Sequence, residues 1–221
     1  VATTSLRRPT FSIPTIFAVL ALLNAAVAVY IYGLLPEFLL RFVAWVLANV
    51  TYRMRVLGDE RIPADGAAVL TPNHVSFVDW LLMAAACPRP VRFVMHHSLA
   101  RLPLVRFLFR GAKVIPIASL REDPELLARA LDRIAEELAA GELVCLFPEG
   151  RITHDGRLQP FRPGIERIVA RTPVPVLPVA IRNMWGSFFS RDSGGAMRRP
   201  FRRVWSRVEV EFGEAVAPAD V

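Results

Sequence analysis

The sequence predicts an α/β fold: a mixed, largely parallel sheet flanked by helices, preceded by an N-terminal membrane helix or helical hairpin. Three observations support this prediction. Short apolar runs alternate with amphipathic segments from residue 53 onward, polar residues follow the ends of several runs, and no charge occurs between Pro9 and Pro36. Alternating strands and helices favour helices packed on a largely parallel sheet. We therefore divide the chain into a membrane-associated segment, residues 1–50, and one α/β domain, residues 51–221.

The first 50 residues predict two helices. Residues 16–32 are apolar and long enough to cross a bilayer, and Tyr30 and Tyr32 near the far end are typical of an interface anchor. Residues 38–50 are too short and too interrupted to span, and indicate an amphipathic helix lying in the membrane interface. The sequence leaves open whether the segment crosses once or forms a hairpin in one leaflet.

The domain that follows contains clear sequence signals for where its helices and strands begin and end. Asp123, Pro124 and Glu125 supply a cap, a first-turn proline and a first-turn acid, so a helix begins there and its apolar stripe should cover the sheet. Strands are predicted at residues 53–57, 67–70, 91–95, 114–117, 143–147, 174–181 and 207–212. Helices are predicted at residues 80–86, 99–109, 123–141 and 164–171.

Composition indicates a lipid-facing protein. The chain has 53% hydrophobic residues and a formal net charge of +7, which favours either anionic membranes or nucleic acid. No nucleic-acid motif is present, so we expect membrane phospholipids as partners and no nucleic acid. Cys87 and Cys145 lie in apolar runs and are expected in the core. His96 and His97 have no acidic or cysteine partner spaced for a metal, so no metal site is expected.

His74 and Asp79 are the most informative pair in the chain. They lie five residues apart, just after the apolar run at residues 67–70. Histidine is well suited to accept a proton near neutral pH, and a carboxylate can orient its ring and stabilise its cation. A structural alternative is that Ser76 and Asp79 form a capping box that opens a helix. That alternative explains Asp79 and leaves His74 as an ordinary loop residue.

A second polar loop follows the apolar run at residues 143–147. Here Glu149, Gly150 and Arg151 bring together an acid, a flexible backbone position and a guanidinium suited to phosphate. Ligands of α/β sheets bind beyond the carboxyl ends of the strands, so one sheet could bring this loop beside His74. The structural alternative is a turn with a surface ion pair.

Taken together, the two loops resemble the glycerolipid acyltransferase (PlsC-like) family, over roughly residues 50–215. The resemblance implies that His74 is the general base, that Asp79 orients it, and that the second loop helps bind the acyl acceptor. It further implies an acyl donor, either acyl-CoA or acyl carrier protein, with no bound cofactor, and a cytoplasmic membrane location with the site facing the cytoplasm. The residues expected to contact substrate are Asn73, Ser76, Phe147, Pro148, Glu149, Gly150, Arg151 and Arg162.

One departure from the family pattern bears on the acceptor. Ile117 stands where the family commonly carries a phosphate-binding arginine, although Lys113, Arg121 or Arg151 could supply that charge from elsewhere. A terminal phosphate carries nearly two negative charges near neutral pH and a diester carries one. We therefore expect a slight preference for a lysophospholipid with a diester headgroup over lysophosphatidic acid.

Two other functions remain open from the sequence alone. The first is a non-catalytic lipid-binding module, fused to or part of a larger membrane protein, which is compatible with a chain that opens on Val1. The second is a lipid hydrolase, which needs a nucleophile; Ser76 is the nearby serine, but it lacks the Gly-x-Ser-x-Gly elbow. For the oxyanion, backbone amides near Gly150 or at Ser76 are the candidate donors.

Overall fold

The computed structural model describes residues 12–34, 36–101, 111–192, 196–197, 203 and 205–221. Contacts group the chain into two compact units, Val1–Pro36 and Glu37–Val221. The first unit contains the helix α1, Ile13–Leu34, whose window Ile13–Tyr30 is long and apolar enough to cross a membrane and is not buried by the rest of the protein.

Helix α2, Pro36–Thr51, belongs almost wholly to the second unit, although the sequence analysis placed it in the membrane segment. Its small residues Ala44 and Ala48 are buried, and the Arg41 guanidinium donates a 2.8 Å hydrogen bond to the carbonyl of Cys87. The other side of α2 exposes large apolar side chains: Phe38, Phe42, Val43, Trp45, Leu47 and Val50. Helix α2 is therefore apolar on two sides: small residues face the core, and bulky apolar side chains face outward.

A mixed sheet forms the centre of the second unit, as predicted. Within the described residues it has seven strands: β1 (Arg53–Leu57), β2 (Ala68–Pro72), β3 (Val91–His96), β4 (Ile115–Ile117), β5 (Leu143–Cys145), β6 (Val176–Arg182) and β7 (Arg207–Phe212). Their order is β1-β7-β6-β2-β5-β3-β4, and β6–β7 is the antiparallel pair among otherwise parallel neighbours.

Helices cover both faces of the sheet. On the central strand β2, Leu70 packs into one core cluster with α3 (Asp79–Ala86) and α2, whereas its neighbour Val69 packs into a second cluster. Alternate strand residues point to opposite faces, so one strand feeds both clusters. The second cluster contains the buried faces of α4 (Pro124–Ala139) and α5 (Gly164–Arg171). A sheet buried on both faces explains the nearly continuous apolar runs of its central strands.

The predicted helix start at Asp123 is confirmed. The side chain of Asp123 accepts a 2.8 Å hydrogen bond from the amide of Leu126, and Pro124 occupies the first turn. The helix predicted at residues 99–109 lies mostly outside the described residues. What is described there is a 3₁₀ turn, His97–Arg101.

A buried ion network holds α2 and α4 to the start of β3. The Arg92 side chain is buried and contacts three carboxylates, Glu37 at 2.9 Å, Glu137 at 3.0 Å and Glu142 at 3.0 Å. Burial alone would raise the pKa of Glu37, but hydrogen bonds from Lys113 and Arg92 outweigh it and lower that pKa. Removing Arg92 would take the shared cation away from all three carboxylates, and the burial of the network would increase the cost.

Candidate active site

Two loops meet at the carboxyl edge of the sheet. His74 follows β2 and Glu149 follows β5, and these strands are hydrogen-bonded parallel neighbours. The backbone amide of His74 donates a 2.7 Å hydrogen bond to Oε1 of Glu149. In addition, the amide of Thr153 donates to the carbonyl of His74 at 2.8 Å. The topology therefore brings together the two polar loops that the sequence analysis identified separately.

His74 and Asp79 form a direct hydrogen bond, with Nδ1 of the ring 2.8 Å from Oδ2 of the carboxylate. Asp79 is completely buried and accepts three further hydrogen bonds, from the amides of Val75 and Ser76 and from the Ser76 hydroxyl. The groups in contact with the carboxylate are thus donors, and it serves as their acceptor. In its contact with the ring, the carboxylate accepts as well, so the proton on this side of the ring lies on Nδ1 of His74.

This tautomer leaves the Nε2 lone pair of His74 available. Among the described residues, Nε2 has no protein hydrogen-bond partner, and the side chain is 21% exposed. The ring stacks on Phe147 with a centroid distance of 4.2 Å and an interplanar angle of 25°. A ring held by Asp79 on one edge and by Phe147 on one face can present Nε2 to an incoming hydroxyl in a single orientation.

The capping box that was the structural alternative for Ser76 and Asp79 forms only in part: Asp79 accepts from the amide of Ser76 at 2.9 Å, but the Ser76 hydroxyl does not cap the helix. Helix α3 has Val78 as its N-cap residue, and no side chain caps it. The Ser76 hydroxyl instead donates to Oδ1 of Asp79 at 2.5 Å, and the side chain is fully buried. Ser76 is therefore a support for Asp79 and is poorly placed to act as a hydrolase nucleophile.

Glu149 connects the two loops through both of its carboxylate oxygens. Oε1 accepts from the amide of His74, and Oε2 accepts from the amide of Gln159 at 2.8 Å. The side chain is buried, with 2% exposure. Glu149 was predicted to hold the acceptor, and that contact stays a prediction. What the structure shows is that both of its carboxylate oxygens accept from backbone amides, one of them the amide of His74.

Thr153 and Gln159 are site residues that the sequence analysis missed. Both are buried, and both contact Asp155 and the carbonyl of Arg157, which folds residues 153–159 into a compact loop beside Glu149. Hydrogen bonds donated by the amide of Arg157 and by the Thr153 hydroxyl lower the pKa of Asp155. No local pattern in the sequence marks them, because their partners become neighbours only through this loop.

Asn73 extends the parallel pairing of β2 with β6 beyond Pro72. Its side-chain amide donates to the carbonyl of Ile181 at 3.1 Å, and its Oδ1 accepts from the amide of the same residue at 2.7 Å. The side chain thus takes the place of a backbone unit. Asn73 directly precedes His74, so these two bonds fix the backbone beside His74 to β6. Its predicted contact with substrate stays a prediction.

Position 150 needs a residue without a side chain. Its φ is +64°, and an added Cβ would lie 2.7 Å from Nε of Arg162. The amide of Gly150 donates to the carbonyl of Phe147 at 3.0 Å, while the buried Pro148 accepts from the amide of Arg162 at 2.9 Å. The amides of Gly150 and Ser76, both predicted as oxyanion donors, are thus already engaged within the protein.

Arg151 and Arg162 are the exposed cations of the second loop. In the part of the chain that the structure describes, neither side chain pairs with a carboxylate; Arg151 makes one long contact, 3.4 Å, with Oε1 of Gln159. Guanidinium groups without acidic partners are available for an anionic ligand. The predicted surface ion pair is therefore not formed within the described residues.

The cysteines do not supply a nucleophile. Cys87 and Cys145 are both buried, as predicted. Burial raises the pKa of Cys87 to about 12 and raises the pKa of Cys145 well above its ordinary value. Because the thiolate is the reactive form, both side chains are inert near neutral pH.

A second histidine–carboxylate cluster lies on the same sheet edge. His96 and His97 both contact Glu122, which follows β4. The sequence analysis stated that no acidic partner was spaced for these histidines, and this is corrected by the structure. Glu122 lies 25 residues from His97, and the parallel pairing of β3 with β4 brings them together.

Comparison with known proteins agrees with this architecture. A 1-acyl-sn-glycerol-3-phosphate acyltransferase from Pseudomonas aeruginosa is 29% identical over 144 residues, covering 63% of this chain and 54% of that protein. A chloroplastic enzyme of the same name from Brassica napus is 30% identical over 145 residues, covering 63% and 41%. The chain thus spans about half the length of these curated relatives.

A solved structure extends the similarity to the fold. The crystal structure of the 1-acyl-sn-glycerophosphate acyltransferase PlsC from Thermotoga maritima matches with a TM-score of 0.62 and 26% sequence identity. The match covers 78% of this chain and 64% of that one. The family model described as Acyltransferase matches residues 53–182, more than half of the chain, and includes both loops of the site. The chain therefore belongs to the acyltransferase family.

Proposed function

We propose that this protein transfers a fatty acyl chain from a thioester to the free hydroxyl of lysophosphatidic acid. The observation that carries the proposal is the His74–Asp79 pair. Among the described residues, Nε2 of His74 has no protein partner and is partly exposed, and the guanidinium groups of the neighbouring loop have no carboxylate partner. The relatives named as 1-acyl-sn-glycerol-3-phosphate acyltransferases support this choice of reaction.

In the proposed mechanism, Nε2 of His74 removes the proton from the acceptor hydroxyl as its oxygen attacks the thioester carbonyl. Asp79 stabilises the imidazolium that forms, through the 2.8 Å bond to Nδ1. The tetrahedral intermediate then collapses, the carbon–sulfur bond breaks, and the thiolate takes the proton from His74. No acyl-enzyme is needed, in keeping with the buried Ser76 hydroxyl and the two buried thiols.

The acceptor phosphate is assigned to the second loop. Arg151 and Arg162 are exposed, and the lack of a side chain at Gly150 leaves room for the Arg162 side chain beside the backbone. Charge-assisted contacts from guanidinium groups to phosphate are individually worth roughly 1.5–3 kcal/mol. The relatives favour lysophosphatidic acid, whereas Ile117 favours a diester lysophospholipid, so both belong in one assay.

The acyl donor is proposed to be acyl-CoA or acyl carrier protein. Both carry the acyl group as a thioester, and the proposed chemistry treats them alike. No metal or resident cofactor takes part in the proposed steps, because His74 supplies the base and the thioester supplies its own leaving group.

The experiment that tests this function is an acyl-transfer assay with purified protein. Labelled acyl-CoA and acyl carrier protein are each offered with lysophosphatidic acid, lysophosphatidylethanolamine and glycerol 3-phosphate. We expect transfer to lysophosphatidic acid, and a fall of about 10²- to 10⁴-fold in His74→Ala. His154→Ala changes an exposed histidine outside the pair and is the matched control.

Two results would contradict the proposal. Undiminished turnover in a folded His74→Ala variant would exclude His74 as the base. No transfer to any acceptor, combined with lipid binding by both the wild type and His74→Ala, would favour the non-catalytic lipid-binding module instead.

A membrane location, with the site facing the cytoplasm, is part of the proposal. The apolar helix α1 and the exposed aromatic face of α2, including Phe42 and Trp45, support the membrane location and do not bear on the orientation. Deleting residues 1–35 removes α1 and leaves Glu37 with Arg92. We expect this variant to be released from vesicles more readily than the full chain at high salt. Equal retention of both proteins would show that α1 is not the anchor.

A further inference from the structure

His96, His97 and Glu122 converge at the carboxyl edge of the sheet, outside the proposed acyl-transfer site. Nε2 of His96 lies 2.9 Å from Oε2 of Glu122, and Nε2 of His97 lies 2.8 Å from Oε1. The three ligand atoms, one from each residue, all lie within 4.8 Å of one another. One carboxylate is therefore shared by two imidazoles through the same type of ring nitrogen.

The backbone makes this convergence possible. Successive side chains of a strand point to opposite faces, so two neighbouring histidines within a strand would diverge. Here β3 ends at His96 and the 3₁₀ turn begins at His97, and the rings stay close, with centroids 4.7 Å apart. Glu122 arrives from the segment between β4 and α4 and reaches both rings.

The other ring nitrogen of His96, Nδ1, also has a partner in the protein. It lies 2.8 Å from the Ser98 hydroxyl, which can accept or donate a hydrogen bond, and the Ser98 amide donates to the same nitrogen at 3.4 Å. With a metal on Nε2, the weaker amide contact would be given up and the hydroxyl would become the acceptor. When a metal binds Nε2 of a histidine, the other ring nitrogen commonly donates to a neighbouring oxygen, and this contact orients the ring. Ser98 is placed to accept such a bond and to direct Nε2 of His96 towards Glu122.

We propose that His96, His97 and Glu122 form a three-ligand site for a divalent transition-metal ion, with Zn²⁺ as the best match. Two imidazoles and one carboxylate with an open fourth position are a known zinc ligand set. Tetrahedral bonds of roughly 2.0–2.2 Å place ligand atoms about 3.4 Å apart. The 2.8 and 2.9 Å contacts run to different oxygens of Glu122, whereas the three ligand atoms lie within 4.8 Å of one another. Binding therefore needs a small shift of the rings and of the Glu122 side chain, and the 43% exposure of Glu122 permits it.

The bound ion would link two loops of the fold. It would tie the turn after β3 to the segment before α4, on the edge of the sheet where His74 lies two strands away. The expected consequence is a more rigid edge next to the proposed site. This inference does not depend on the acyl-transfer reaction, and its test does not use activity.

The test is a metal titration of the full-length protein, purified without a polyhistidine tag and freed of metal with a chelator. Co²⁺ is added and its visible absorption followed, and Zn²⁺ is then used to displace it. We expect one saturable site per chain. His97→Ala and Glu122→Gln should each weaken Co²⁺ binding at least about 10-fold, and Ser98→Ala about 10- to 100-fold.

His154→Ala is the matched control, because it removes an exposed histidine outside the cluster and should leave the titration unchanged. Circular dichroism shows whether each variant is folded. As a second measurement, Zn²⁺ should raise the Tm of the wild type and not that of His97→Ala. Binding by the wild type no tighter than by a His96→Ala/His97→Ala double variant would overturn the proposal, and so would an equal loss in His154→Ala.

Discussion

Two regions on the same edge of the sheet pair histidine with a carboxylate, and they differ in burial. Asp79 is fully buried and accepts four hydrogen bonds, one of them from His74. Glu122 is 43% exposed and contacts the rings of His96 and His97. The side-chain chemistry is nearly the same, but the number of other contacts and the access of water are different.

This difference teaches that burial, more than residue type, determines what each pair can do. Asp79 cannot leave its site without leaving backbone amides unpaired, so the ring of His74 has one tautomer and one orientation. Moving the Glu122 side chain costs little free energy, because water can replace its contacts. The buried pair is therefore suited to proton transfer, and the exposed cluster is suited to capturing an ion.

The largest expected difference between the two regions is in kcat, when the carboxylate of each is neutralised in turn. Asp79→Asn should lower kcat by about 10²- to 10⁴-fold, because an amide can donate to Nδ1 and so favour the wrong tautomer of His74. Glu122→Gln should leave kcat within about 3-fold of the wild type. The measurement is steady-state acyl transfer at saturating acceptor. Equal losses in the two variants would remove the functional distinction between the two regions.

The second effect concerns the buried carboxylate that joins the loops. Glu149→Gln places an NH₂ group opposite a backbone amide, from either His74 or Gln159, and leaves a buried donor without an acceptor. We expect a loss of about 1–3 kcal/mol in the free energy of unfolding, measured with urea, together with lower kcat. Glu122→Gln is again the control. A Glu149→Gln variant with wild-type stability would show that the loops do not need this charge.

The third effect, on stability alone, is expected from the serines that contact each region. Ser76→Ala removes a buried hydrogen bond to the Asp79 carboxylate and should cost about 1.5–3 kcal/mol of folding free energy. Ser98→Ala removes a more exposed contact to His96, and in metal-free protein it should change stability by less than about 0.5 kcal/mol. Similar values for the two variants would contradict the comparison based on burial.

The smallest expected effect is the pH dependence of the exposed pair. Hydrogen bonds from His97 and then His96 lower the pKa of Glu122 below its ordinary value of 4.5. A carboxylate with a lowered folded-state pKa stabilises the fold above its unfolded-state pKa, and this contribution is lost as pH falls through the lowered value. In chelator, the Tm difference between wild type and Glu122→Gln should vanish at low pH and shrink with added salt. A difference that persists at pH 2 would indicate another cause.

Much of the fold could be predicted from local patterns. Asp123 and Pro124 begin α4 as expected, and the short apolar runs became strands of a mixed, largely parallel sheet. His74, Asp79 and Glu149 were identified because they follow such runs. These predictions succeed because capping and periodic burial are properties of neighbouring residues, which the sequence displays directly.

The roles of several site residues could not be predicted in this way. The backbone partners of Asn73 and Glu149, at Ile181 and at Gln159, had no signal in the sequence, and the expected contacts of both residues with the acceptor stay a prediction. Thr153 and Gln159 carried no signal. The partner of a polar side chain depends on which strands become neighbours, and here β2 pairs with β5 and β6, far apart in the chain.

The sequence by itself determined which groups are available: an imidazole and a carboxylate after one strand, a glutamate and arginines after another, and two adjacent histidines. Only the tertiary structure decided how they are used. It buried Asp79 among four donors, directed Glu149 to backbone amides, and brought Glu122 to His96 and His97 across the β3–β4 pairing. The physical reason is that burial and strand pairing set which polar groups must find partners within the protein, and no local pattern contains that information.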